Sequence, residues 1–144
     1  AVGGRSNLIS LKNRTILDDC YNANPVSMKA AIDLLKQAKT RKVAVLGDMF
    51  ELGEGQEEMH GEIGTYAVEK GIDVLVCVGE LSKNMYDAAI KAQNDSDSDI
   101  KVYYMKDTQE VIDKIEEYLE KDDAILVKAS HGMGFAKVVD ALQK

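Results

Sequence analysis

Val43-Ala44-Val45-Leu46-Gly47-Asp48 is the stretch on which the fold turns. An unbroken apolar row closed by a glycine and an acid describes a strand covered on both faces, because a half-solvated strand would alternate. The signature recurs downstream. Val74-Leu75-Val76-Cys77-Val78 stops at Gly79, Val102-Tyr103-Tyr104 runs out before Lys106-Asp107, and Ile125-Leu126-Val127 ends at Lys128. Helical stripes stand before, between and after these runs: Met28, Ala31, Ile32, Leu35 and Ala38; Met59, Ile63 and Ala67; Leu81, Met85, Ala88 and Ala92; Val111, Ile115 and Leu119; Phe135, Val138, Val139 and Leu142. A strand roughly every 25 to 30 residues, each followed by a helix, is the period of a βαβ unit.

Upstream, Ile9 and Leu11, then Thr15 and Leu17, alternate around Lys12-Asn13, which predicts two short antiparallel strands joined by a tight polar turn. Asn24 is a fitting N-cap for the first helix, and Pro25 suits its first position, where a missing N–H costs nothing. His60 falls one residue past its stripe and reads as a surface residue or as support behind a site. Residues 94–99 read as a polar, acidic loop. The expected architecture is one α/β domain, Rossmann-like and three-layered, with a mostly parallel sheet and one antiparallel strand near the N-terminus.

At 144 residues the chain is long enough for a single core without covalent help. A formal net charge of −7 argues against a nucleic-acid partner or a hold on an anionic membrane. No apolar run approaches the roughly 20 residues that a membrane helix needs, so no membrane insertion is expected. Cys20 and Cys77 lack a C-x-x-C spacing and sit in apolar surroundings, so unpaired thiols in a reducing, cytoplasmic setting are expected. The opening Ala1-Val2-Gly3-Gly4-Arg5 has no initiator Met and reads as a linker, which suggests one domain of a longer protein.

Parallel strands deliver their carboxyl ends to one edge, where ligands of such sheets bind. The segments brought there are Asp18-Asp19-Cys20-Tyr21-Asn22, Gly47-Asp48-Met49-Phe50-Glu51, Gly79-Glu80 and Lys128-Ala129-Ser130-His131-Gly132. Asp48 and Glu51 read either as ligand groups or as solvated acids near the next helix's positive end. Asn22 and Asn24 also suit turns and caps. Lys128 suits a phosphate or carboxylate, and would look the same if it paired with Asp19 or Asp48. His131 reads as a site residue. Gly132-Met133-Gly134 lacks the third glycine of a dinucleotide loop. There is no G-x-x-x-x-G-K-[ST] loop, no paired His/Cys metal spacing and no G-x-S-x-G elbow, so chemistry by this domain alone is not expected.

Three segments together closely resemble the carboxy-terminal domain of the Mur ligases: Leu17-Asp18-Asp19-Cys20-Tyr21-Asn22-Ala23-Asn24-Pro25, Val45-Leu46-Gly47-Asp48-Met49-Phe50-Glu51-Leu52-Gly53 and Val127-Lys128-Ala129-Ser130-His131-Gly132-Met133. The first two look most like the family member that adds D-alanyl-D-alanine to UDP-N-acetylmuramoyl-tripeptide in peptidoglycan synthesis. The resemblance covers essentially the whole chain. It implies that residues 1–144 are the third domain of a three-domain enzyme. A UDP-sugar domain and a central ATPase domain, neither in this chain, would complete it, and the central one would bind most of the ATP and Mg. The implied reaction is ATP-dependent amide formation through an acyl phosphate, which needs alignment and charge neutralisation more than a protein nucleophile. By position, the resemblance implies that Arg5, Asp19 and Asn22 approach the nucleotide. It places Asp48 and Glu51 where the dipeptide's ammonium enters, with Lys128, Ser130 and His131 suited to its carboxylate. The chain alone is then expected to fold but neither to hydrolyse ATP nor to ligate. The competing reading is a stand-alone α/β regulatory module, receiver-like, whose Asp18, Asp19 and Asp48 hold a divalent cation.

Overall fold

The computed structural model describes residues 6–144. In chain order it contains β1 (Asn7–Ser10), β2 (Arg14–Asp18), α1 (Pro25–Lys36), β3 (Lys42–Gly47), α2 (Gln56–Glu69), β4 (Val74–Val78), α3 (Lys83–Ser96), β5 (Lys101–Met105), α4 (Thr108–Lys114), β6 (Asp123–Lys128) and α5 (Ala136–Leu142). Single 3₁₀ turns follow α4 (Ile115–Tyr118) and β6 (His131–Met133). The strands form one sheet in the order β1-β2-β6-β3-β4-β5. Among the described residues only the β1–β2 pair is antiparallel, with Asn7 opposite Asp18, and every other pair is parallel. This is the expected three-layer α/β domain.

Strand alternation sorts the core into two halves. Ala44, Leu46, Leu75, Cys77 and Leu126 pack on one face with Met28, Ile32, Ile63 and Met85 of α1, α2 and α3. Val43, Val45, Val76, Ile125 and Val127 pack on the other with Val111, Phe135, Val138 and Leu142 from the α4 and α5 side. Both faces are apolar, so the central strands read as continuous runs.

Local chemistry sets the helix ends. The Asn24 side chain accepts the Ser27 N–H at 2.8 Å, while Ser27 Oγ accepts the Asn24 N–H at 3.0 Å, a reciprocal cap with Pro25 at the first helical position. Between α2 and α3 the backbones come close at Gly61 and Gly64. A β-carbon on Gly64 would collide with the Met85 carbonyl oxygen and lie 3.1 Å from Ala89 N.

Two expectations are corrected here. Residues 94–96 are not loop: α3 runs on to Ser96, held by Lys91–Asp95 at 2.7 Å and by Ser96 Oγ donating to the Ala92 carbonyl at 2.7 Å. It stops at Asp97, whose φ of 54° is left-handed. The helix carrying Val111 and Ile115 tightens into the 3₁₀ turn after Lys114, which leaves Leu119 in extended backbone beyond it.

The cysteines are unpaired and face opposite sides of the sheet, Cys77 buried in one half of the core and Cys20 half-buried against the other. Among the described residues no helix is long and apolar enough to cross a membrane.

Candidate functional site

Because β2, β6, β3 and β4 are consecutive neighbours in the sheet, the polar segments after them lie side by side on one edge. Lys128, the last residue of β6, is only 2% exposed. Its ammonium lies 3.1 Å from Asp19 Oδ2 and donates to the Asn22 carbonyl at 2.8 Å. Of the two readings open for Lys128, the structure shows the partner to be Asp19. The pair ties the end of β6 to the segment between β2 and α1.

On the other side of Lys128, the segment after β3 is fastened from three directions. Asp48 Oδ1 accepts the Ser82 N–H at 2.8 Å, and the Asp48 carbonyl accepts the Ser130 N–H at 3.0 Å. Ser130 Oγ in turn accepts the Phe50 N–H at 2.8 Å. His60 Nε2 accepts the Met49 N–H at 2.9 Å, and its Nδ1 lies 2.7 Å from the Gln56 carbonyl. The ring is therefore a neutral tautomer with its proton on Nδ1, directed at Gln56. Asp48 is 5% exposed, so the solvated-acid reading fails for it. Gly79 completes the seat: with φ 109°, it presents bare backbone where a β-carbon would lie 2.5 Å from Asp48 Oδ2.

Glu51 and His131 differ from these in being exposed. Glu51 holds φ 62°, a left-handed conformation that costs a non-glycine residue about 1 kcal/mol. His131 stands 5.7 Å from Tyr21, ring centre to ring centre. Tyr21 borders two depressions. One, of about 530 Å³, is lined by Asp19, Asn22, Asn24, Ser27 and Lys128 among others. The other, of about 270 Å³, is lined by Cys20, His131 and Phe135 among others. Arg5 lies outside the described residues.

Of the two readings for His60, a surface residue or support behind a site, the structure overturns the first. The side chain is wholly buried, not on the surface. The inward face of α2 is His60, Ile63, Gly64, Ala67 and Val68, and Met59 is only half-buried. The signal was present in the 60/63/64/67 spacing, which is as helical as the stripe drawn through Met59. Ser82 was missed because its contribution is a backbone N–H, which no residue type announces.

Burial, with help from the neighbouring Asp18 carboxylate that takes the thiol's hydrogen bond at 2.9 Å, pushes the Cys20 thiol up to about 12. At pH 8 that leaves about 1000-fold less thiolate than an ordinary cysteine, while the higher basicity returns about 20-fold in nucleophilicity. Reaction of Cys20 with an aromatic disulfide reagent is accordingly expected to be about 50-fold slower in the native domain than in denaturant. Equal rates in the two states would contradict this placement of Cys20.

Residues 4–131 match the family described as "Mur ligase, glutamate ligase domain". The chain belongs to the Mur ligase family. A UDP-N-acetylmuramoyl-tripeptide--D-alanyl-D-alanine ligase of Escherichia coli (strain K12) is 36% identical across 100% of the chain, and one of Rickettsia prowazekii is 33% identical across 97%. The chain spans about 30% of the length of these curated relatives. Among solved structures, MurF from Acinetobacter baumannii superposes with a TM-score of 0.83 at 28% identity, over 100% of this chain and 31% of that one. MurF from Thermotoga maritima, solved in complex with ADP, has a TM-score of 0.79 at 25% identity, over 99% and 31%.

In this Mur ligase domain, the acids of the competing cation-module reading are engaged separately. Asp18 takes the Cys20 thiol, Asp19 takes Lys128, and Asp48 takes the Ser82 amide. Among the described residues no group of three His, Cys, Asp or Glu side chains is placed to hold a metal ion.

Proposed function

We propose that this Mur ligase domain, residues 1–144, is the carboxy-terminal part of an ATP-dependent ligase that joins D-alanyl-D-alanine to UDP-N-acetylmuramoyl-tripeptide in peptidoglycan synthesis. It works in the cytoplasm beside the UDP-sugar and central ATPase domains of the same enzyme. One observation carries the proposal: relatives 30–36% identical over 89–100% of the chain are all named as that ligase. When bound, ATP supplies the phosphoryl group that activates the peptide carboxylate as an acyl phosphate. What remains for this domain is to hold an amine in line and to keep water out.

The rim suits those tasks. Asp19 and Asn22 border the larger depression, whose carboxylate, amide and hydroxyl groups fit the ribose side of a nucleotide. Arg5 is assigned to the phosphates. Glu51, exposed at the rim, meets the ammonium of the incoming dipeptide, with the buried Asp48 adding negative charge behind it. His131 faces solvent and takes the dipeptide's carboxylate. Ser130 and Lys128 act from beneath, since their polar atoms are engaged by Phe50, Asp19 and Asn22.

The test is made on the full-length ligase. ADP release is expected to depend on D-alanyl-D-alanine and to match amide formed. Glu51→Gln is expected to raise the dipeptide KM about 10-fold, with the ATP KM moving less than about twofold, because one charge-assisted contact is lost. ADP release indifferent to the dipeptide would overturn the reading.

A further inference from the structure

The segment after β3 is densely fastened, with Asp48 and Met49 buried and Phe50 and Glu51 exposed. Over residues 48–50 one carboxylate, one carbonyl and two N–H groups are bonded to Ser82, Ser130 and His60. Next in sequence comes Glu51, exposed and left-handed. A residue in that conformation persists when its surroundings over-determine it. Of the fasteners, His60 is the least expected. It is an imidazole with no exposure, placed on an otherwise apolar helix face, and spends its acceptor nitrogen on a backbone amide two residues from Glu51. A leucine would fill that space and keep the core but leave the Met49 N–H unpaired.

We propose that His60 is a positioning residue for the ligation: it anchors the Met49 amide so that the Glu51 carboxylate is presented, preorganised, to the ammonium of the incoming dipeptide. The inference rests on the proposed function for the identity of the amine, but not for the anchoring itself. His60 is oriented by the Gln56 carbonyl one turn earlier on α2. The ring's aim is thus a property of the helix, and the helix sets the pose of the turn. The Nε2 atom must keep a lone pair, so any replacement has to place an acceptor at the same reach. Glutamine does so through its side-chain carbonyl; leucine does not.

Two measurements on the full-length ligase decide it. By hydrogen exchange, His60→Leu is expected to speed exchange of the Met49 and Phe50 amides about 30-fold or more, with β3 still protected. His60→Gln should return them to within about threefold of the parent. In kinetics, His60→Leu is expected to raise the dipeptide KM about 10-fold with kcat and the ATP KM nearly unchanged, and His60→Gln to restore it. Unchanged protection at Met49 and Phe50 would overturn the anchoring. A KM rise shared by all substrates, or no rescue by glutamine, would make His60 a packing residue and overturn the positioning role. If the parent ligase forms no amide with D-alanyl-D-alanine, the proposed function falls, and the exchange measurement still decides whether His60 anchors the turn.

Discussion

Replacing Lys128 with methionine is expected to cost the domain about 3 kcal/mol of stability, a fall in Tm of about 10 °C. The size follows from what is left behind. Methionine fills the stem of the lysine at the end of β6, but the Asp19 carboxylate, 15% exposed, then has no counter-charge at 3.1 Å, and the Asn22 carbonyl loses its donor. Unpaired charge in a site so nearly closed costs more than the intact pair contributes. A second substitution separates this account from simple loss of packing. Adding Asp19→Asn to Lys128→Met removes the stranded charge and is expected to recover about half of the loss, a coupling that independent sites do not show. Thermal or urea unfolding of the parent, both single variants and the double variant measures it. Additive losses would mean that the two side chains do not share their energy.

Gly64→Ala is expected to be comparably harmful, at about 3 kcal/mol, although alanine favours helices and would ordinarily stabilise one. The added methyl group has nowhere to go. It collides with the Met85 carbonyl oxygen and stands 3.0 Å from the carbonyl carbon, so the backbone of α3 must retreat. Gly61→Ala, one turn earlier on the same helix, is the control. There the new β-carbon meets Ala88 Cβ at 3.5 Å and the Asn84 carbonyl oxygen at 3.8 Å, which is ordinary contact. That variant is expected to be neutral or to gain up to about 1 kcal/mol. A urea midpoint well below the parent's for Gly64→Ala, beside one at or above it for Gly61→Ala, would bear out the close approach of α2 and α3; equal midpoints would refute it.

What was legible in the sequence was whatever depends on periodicity. Val43 to Leu46 and Ile125 to Val127 announce central strands because both their faces are dry. Asn24-Pro25 announces a helix start because its cap chemistry is local. The edge on which Asp19, Asp48 and Lys128 gather was also inferable, since parallel strands deliver their ends together. Degree of burial was not. Lys128 and Asp48 sit just past apolar runs, where a sequence looks as though it is leaving the core, yet tertiary partners keep both inside. The surface reading of His60 fails for a related reason. A titratable side chain is counted as outward until a specific acceptor role, here for the Met49 amide, is seen. The helical extension through residues 94–96 has no apolar stripe to announce it, because its support comes from Lys91, Ala92, Asp95 and Ser96 bonding one another.

The reversed direction of β1 has a mechanical corollary. Since Asn7 stands opposite Asp18, the backbone comes in at the rim and not at the far end of the sheet, and Ser6 borders the same depression as Asp19 and Lys128. In the ligase proposed above, a rotation about that point would swing the distant helix ends through a broad arc while carrying Asp19 only a short stroke.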